Sequence, residues 1–363
     1  MDLFLCTVCL DGSPPAYHLH RGHGTGLGSW IIHLDGGGWC DSITDCLNRS
    51  TTYLGSTKYM RKKGFFDGIL HNTSIRNPEF HNWNRVRVKY CDGSSFTGDV
   101  EQVDTENKLY FRGARIFKAI MEDLWSKGLE SAENVRIYCN SIGISAGGLA
   151  TILNCNKFKC LLPENAKVKC VADAGFFING KTINGTSYIQ EMYHKIVNLH
   201  VSYIFSIKVI LVKNKSYKLN LFLFCFKGSA KNLPSACTSV MEPSLMKNIL
   251  VPPHVDPQHV WEDCLNNTNT CTSSQHIAIQ AFGVEFLKTF EGLPPCFTRG
   301  YFLTSCYSHG GILAPPYWFS STSPRLLNKT IGEAVADWYF ERTRFQCIDP
   351  YPCVKVCKDL NNH

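Results

Sequence analysis

A serine between small residues is the place to begin. Gly143-Ile144-Ser145-Ala146-Gly147-Gly148 fits G-x-S-x-G, and the chain holds this pattern once. In a nucleophile elbow a strand turns sharply at the serine and enters a helix. Small residues on either side let the strained turn close, and the hydroxyl then projects beyond the carboxyl edge of the sheet. The N–H of the next residue, Ala146, faces the place where an oxyanion would form. A second account needs no chemistry: Ser145 caps the start of a helix.

Two other stretches bear on the choice. Asp35-Gly36-Gly37-Gly38-Trp39-Cys40 follows the apolar run Ser29–Leu34. Glycines after a strand leave backbone N–H groups unshielded, as an oxyanion hole requires, and Trp39 suggests a packed or substrate-facing aromatic. The alternative is a flexible turn. Far along the chain, Ser305-Cys306-Tyr307-Ser308-His309-Gly310 places a histidine in a loop after a strand. His309 follows the serine in chain order, as the base does in Ser…Asp…His arrangements. Ser94 and Ser95 lie in a polar loop without an elbow, where a turn stabilised by Asp92 is the simpler account. His18, His20 and His23 have no further ligand at metal spacing and read as a solvated loop. Cys347, Cys353 and Cys357 lack a fourth zinc ligand and read as a disulfide-tied tail.

These residues need elements to hold them. Ser29–Leu34, Arg85–Tyr90, Val135–Tyr138, Lys167–Ala172 and Tyr301–Thr304 read as strands. Phe117, Ile120, Met121 and Leu124 recur at helical spacing, with Gly128 as a stop. Ile331, Val335 and Trp338 form one face of a closing helix. Strand and helix alternate, which predicts an α/β fold built on an open, mostly parallel sheet with helices on both faces.

Composition sets the outer bounds. The 363 residues are 44% hydrophobic and 18% charged, enough for a sizeable core. Eighteen cysteines are spread from Cys6 to Cys357, which predicts several disulfides and an oxidising compartment. Cys40 and Cys46 are expected to close a small loop. Sequons at Asn48, Asn72, Asn184, Asn266 and Asn328 also favour secretion. Met1–Cys9 has no basic segment and too short an apolar run for a signal peptide, so the expectation is that the true N-terminus precedes this sequence. The formal charge is +7, but Lys208, Lys213, Lys215, Lys218 and Lys227 all sit in the acid-free stretch Val201–Lys227. Nucleic-acid binding therefore gains little support, and no membrane span is expected.

Several further stretches resemble plant pectin acetylesterases. They are Cys9-Leu10-Asp11-Gly12-Ser13-Pro14-Pro15-Ala16-Tyr17, Gly36-Gly37-Gly38-Trp39-Cys40, Asn82-Trp83-Asn84-Arg85, Tyr90–Asp99, Asp173-Ala174-Gly175-Phe176-Phe177, Ser305–His309 and Ala336-Asp337-Trp338. The resemblance implies a single α/β-hydrolase domain over residues 9–357, secreted to the cell wall, monomeric, and acting on acetylated pectin without metal or organic cofactor. It implies Ser145 as nucleophile, His309 as general base, and the N–H groups of Gly37, Gly38 and Ala146 as the oxyanion hole. The same superfamily holds Notum-type lipases, whose activity needs a deep apolar acyl pocket.

The chain departs from that family in three places. Val201–Lys227 intervenes where the family runs from His200 almost directly into Gly228. It has no glycine, proline or acid. Codons possible at Val201 and Lys227 would suit splice signals, so it reads as a translated intron or, alternatively, a real lysine-rich surface insertion. A mature transcript retaining these codons would rule out the intron. At Leu245-Met246 a family block looks deleted, and with it a strand and the triad aspartate. No acid inherits that role by motif, and Asp256 matches a position outside the triad. Loss of the acid costs an analogous triad about 10⁴-fold in turnover, so weak or absent activity is the expectation, and a non-catalytic wall-binding protein is the alternative. Third, the segment before the elbow, Arg136–Ile142, is longer than its counterpart. Ile144 replaces a family cysteine within the elbow, and Gly310 another just after His309.

Overall fold

We describe the protein from a computed structural model that covers residues 7–130, 138–163, 166–200, 237–241, 250–251, 255–256, 258–266, 268–289, 299–304 and 310–349. Its centre is an eight-stranded sheet: β1 Tyr17–His20, β2 Trp30–Leu34, β3 Asn84–Val88, β4 Tyr138–Ile144, β5 Lys167–Asp173, β6 Cys237–Met241, β7 Tyr301–Leu303 and β8 Gln346–Ile348. The spatial order is β1-β3-β2-β4-β5-β6-β7-β8. Edge strand β1 runs antiparallel to β3, and every other pairing is parallel.

The order of winding decides where a site can form. The chain goes from β2 out to β3, then crosses back to lay β4 on the other side of β2. Loops leaving β2 and β4 thus part in opposite directions, and a crevice opens between them at the carboxyl edge. Leu34 lies opposite Gly143 in the β2–β4 register, so Gly36–Gly38 and Ser145 emerge side by side.

Strands covered on both faces carry apolar residues without strict alternation. All five residues of β2 are buried. Trp30, Ile32 and Leu34 join a core with α2 (Gly113–Leu124), α3 (Ala146–Cys160), α4 (Tyr188–His200) and α5 (Ser273–Lys288). Ile31, Val171 and Phe302 join a second core, which Ile331, Val335 and Trp338 of α6 (Ile331–Tyr339) cover. The α/β-hydrolase-like architecture, with helices on both faces, is as the alternation of elements predicts. The Thr330–Glu333 capping box starts α6.

Disulfides join Cys9 to Cys91, Cys40 to Cys46, Cys155 to Cys170, and Cys264 to Cys271. The expected small loop closed by Cys40 and Cys46 is present. Among the described residues Cys160 and Cys347 are free thiols.

Several expectations are corrected. His18 and His20 lie on β1 and are not in a loop. Pairing with β3 imposes this strand, whose side chains are only partly covered, so an apolar pattern was absent. The strand before the elbow runs through Asn140 and Ser141 to Ile144. Parallel partners on both sides make it a strand despite its polar residues. The sheet is also unbroken where a strand was expected to be missing: Cys237–Met241 fills the place between β5 and β7. The 201–227 stretch, the Leu245-Met246 junction, Val135–Ile137, Cys353 and Cys357 lie outside the described residues.

Candidate active site

Ser145 closes β4 and precedes α3 with φ 57° and ψ −120°. An L-residue is strained there by about 1–3 kcal/mol, so its surroundings must hold it. Its N–H donates to the Asp173 carbonyl at 3.0 Å, and its own carbonyl accepts from Leu149 N–H at 3.0 Å. The side chain makes no capping hydrogen bond, which removes the reading of Ser145 as a simple helix cap. Gly147 is needed beside it: a Cβ there would sit 2.1 Å from the Leu34 carbonyl oxygen, so α3 could not approach β2.

The glycine loop is held by its carbonyls. Arg49, on α1 (Ile43–Ser50), donates to the Gly37 carbonyl at 2.7 Å. Tyr90 Oη donates to the Gly38 carbonyl at 2.8 Å. Burial, with Asp92 nearby, pushes the Tyr90 phenol further above its ordinary pKa, so it remains a donor. A planar trans peptide sets its N–H opposite its C=O. Fixing the Gly37 and Gly38 carbonyls therefore turns the next N–H groups, of Gly38 and Trp39, the other way. Gly38 takes φ 68°, a conformation that favours glycine. The N–H groups of Gly37 and Gly38 have no partner among the described residues. Ala146, as first residue of α3, adds an N–H with no intrahelical partner.

Just before the loop, Asp35 accepts from Arg87 Nε at 2.7 Å and Lys89 Nζ at 2.8 Å, and its carboxylate lies 3.2 Å from His33 Nδ1. Burial alone would raise its pKa. The close approach of His33 and the charges of Arg87 and Lys89 outweigh burial and hold the carboxyl well below the usual carboxylate range. Burial lowers the His33 pKa, so its imidazole is neutral near pH 7. At the other end of the loop, buried His200 of α4 meets the Cys40 carbonyl at 3.0 Å. Burial pushes its pKa down to about 4. Cys40, Cys46 and His200 cluster closely, but the two sulfurs are spent on a disulfide.

Ser145, Gly37, Gly38 and Trp39 line one cleft of about 1020 Å³. Trp39 is half-buried; its Nε1 donates to Ser95 Oγ at 2.7 Å, and its ring packs edge-on against Phe177 and Tyr193. The structure thus brings together four of the residues expected at the site, with Ala146 alongside. His309 lies outside the described residues. The chain two residues further on is latched, because Asp173 accepts from Gly311 N–H at 3.3 Å and Ile312 N–H at 2.9 Å. Burial raises the Asp173 carboxyl to about 7.

The other sequence candidates have structural partners. Asp92 accepts from the Ser94 hydroxyl and the Ser94 and Phe96 N–H groups, which is the expected turn. Asp256 accepts from the Val260 and Trp261 N–H groups at 2.8 Å each. The sequence reading missed Arg49, Tyr90, Asp35 and Asp173 as parts of the site. For the two acids a signal was available: Asp35 directly follows β2 and Asp173 ends β5, each just before a glycine-containing turn.

A family profile described as Pectinacetylesterase matches residues 5–358. Pectin acetylesterase 11 of Arabidopsis thaliana is 41% identical over 382 residues, covering 98% of this chain and 88% of that protein. Pectin acetylesterase 7 of the same plant is 40% identical, covering 98% and 90%. The palmitoleoyl-protein carboxylesterase notum1a of Danio rerio is 31% identical over 192 residues, covering 51% of this chain and 37% of that protein. Among solved structures, the Wnt deacylase Notum from Drosophila superposes with a TM-score of 0.74 at 19% identity, covering 97% of each chain, a likeness of fold. A serine in an elbow at the switch point of such a sheet, together with matches over nearly the whole length, makes this chain an esterase-type member of the pectinacetylesterase family.

Proposed function

We propose that this protein hydrolyses acetyl esters of cell-wall pectin with Ser145 as nucleophile. The observation that carries the reading is the strained Ser145, uncommitted as a cap, in one cleft with the unpartnered N–H groups of the glycine loop. His309 takes the proton as the Ser145 hydroxyl attacks the acetyl carbonyl. The N–H groups of Gly37, Gly38 and Ala146 receive the oxyanion, each worth about 3 kcal/mol. The imidazolium gives that proton to the sugar oxygen, which leaves as a hydroxyl. The same imidazole then deprotonates water, which attacks the acetyl-enzyme, and the proton returns to Ser145 as acetate departs. No cofactor takes part. The relatives named pectin acetylesterases support the substrate. Disulfides and the exposed sequons at Asn48, Asn72, Asn184 and Asn328 support a secreted glycoprotein of the wall.

One observation favours a second reading. Asp256, the first aspartate after the deleted block, is used as a turn cap. A chain without a triad acid would hold the polymer without cutting it. Acetate release from acetylated pectin, compared between this protein and Ser145→Ala, separates the two. Release that disappears in the variant supports hydrolysis. Release unchanged in the variant, or absent from both, overturns it.

A further inference from the structure

Beside Ser145 the cleft wall is built from the segment 53–65. Tyr53, Tyr59 and Phe65 line it and are 60%, 58% and 67% exposed. Three large aromatic rings left in water around one cleft mark a surface meant to be covered. Arg61 and Lys63, between Tyr59 and Phe65, also line it. Both are exposed, and neither has an ion-pair partner among the described residues. Intervening Lys62 does not line the cleft; its carbonyl meets His18 Nε2 at 3.2 Å.

The charge balance of the wall is one-sided. Arg61, Lys63, Arg87 and Lys89 face the cleft, and Asp35 is the carboxylate among its lining residues. Asp35 is already engaged by Arg87 and Lys89, which leaves Arg61 and Lys63 for an incoming anion. The rim is also tied to the catalytic loop. Arg87 donates to the Phe65 carbonyl at 2.8 Å, and Arg49 donates to the Leu54 carbonyl at 3.2 Å as well as to Gly37. A ligand held by the rim is therefore registered against Ser145.

We infer that the segment Tyr59–Phe65 is a polyuronate-binding rim, in which Arg61 and Lys63 take free carboxylates and Tyr59 and Phe65 stack on the apolar C–H faces of the sugar rings. The inference deepens the reading above and rests on it for the identity of the cleft. It adds a specificity: polymer whose carboxyls are free is preferred to polymer whose carboxyls are methyl-esterified.

Binding tests this without needing turnover. The full chain is titrated with polygalacturonate, methyl-esterified polygalacturonate, neutral xylan and single-stranded DNA, at low and at about 0.3 M salt. Polygalacturonate is expected to bind about tenfold tighter than its methyl ester at low salt, and salt should erase most of the difference. The exposed double variant Arg61→Gln/Lys63→Gln should lose that preference. Tyr59→Ala should weaken both polymers alike and leave the salt response intact. Equal binding of both polymers, a preference that survives the double variant, or DNA bound as tightly as polygalacturonate would each overturn the proposal. An inactive chain that still shows the preference sinks only the hydrolytic reading; an active one without it sinks only the rim.

Discussion

Asp173 holds Ser145 from one side and the chain after His309 from the other. Its main-chain carbonyl accepts the Ser145 N–H at 3.0 Å, and its carboxylate accepts the N–H groups of Gly311 and Ile312. One residue at the end of β5 thus sets the backbone of the elbow and the segment that follows the histidine. The β4–β5 register produces this by placing Ile144 opposite Asp173.

Asp173→Asn should loosen that latch. Its side-chain NH₂ would face one of the two N–H donors, leaving a buried group unsatisfied at about 1–3 kcal/mol. The pH dependence has a definite sign. Burial raises the folded carboxyl to about 7, above an unfolded value of about 3.9. The folded state then holds more protons between those limits, so this group's stabilisation is fullest at acid pH and declines as pH rises toward 7. Urea unfolding from pH 4.5 to 8 should show that slope in the native protein and a flatter one in the variant.

Ser145→Gly should separate stability from chemistry. Glycine tolerates φ 57° and ψ −120°, so the strain at this position is relieved and stability rises by about 1 kcal/mol. Ester hydrolysis falls to background because the hydroxyl is gone. A thermal melt beside an acetate assay checks both; a variant less stable than the parent would contradict the strain argument.

Asp35→Asn should cost about 3 kcal/mol, because Arg87 and Lys89 lose the carboxylate that neutralises them in a mostly buried site. The carboxyl is depressed in the folded state. Its contribution is therefore complete above the unfolded value of about 3.9 and is lost as pH falls below it. Denaturant midpoints at neutral and acid pH should differ less in the variant than in the native protein.

Tyr90→Phe removes the donor that fixes the Gly38 carbonyl and the acceptor for Ser95 N–H. The glycine loop then loses an anchor at Gly38, and the Gly38 N–H is held less firmly in place. Turnover on a small acetyl ester should drop by up to about 10²-fold with KM little changed, since the donor matters most when the oxyanion forms. An equal effect on KM would mean the loop serves binding instead.

Much of the site could be read locally. Ser145 and the glycines around it identify themselves, because the turn they make is too tight for larger residues. Gly36–Gly38 after an apolar strand did the same for the glycine loop, and the helix over Ile331–Trp338 showed itself by its spacing. β1, the polar half of β4 and β6 were not legible in this way. Their strand character comes from hydrogen bonds to neighbours far along the chain.

By itself, then, the sequence determined the elbow, the glycine loop and the alternation of strand and helix, since each depends on residue types within a few positions. Only the tertiary structure decided which distant groups hold the site: Arg49 and Tyr90 on the loop carbonyls, Arg87 and Lys89 on Asp35, Asp173 on Gly311, and the cationic rim beside Ser145. Those contacts exist because the winding reverses between β2 and β4 and gathers their loops at one edge, a property of strand order that no local window of residues contains.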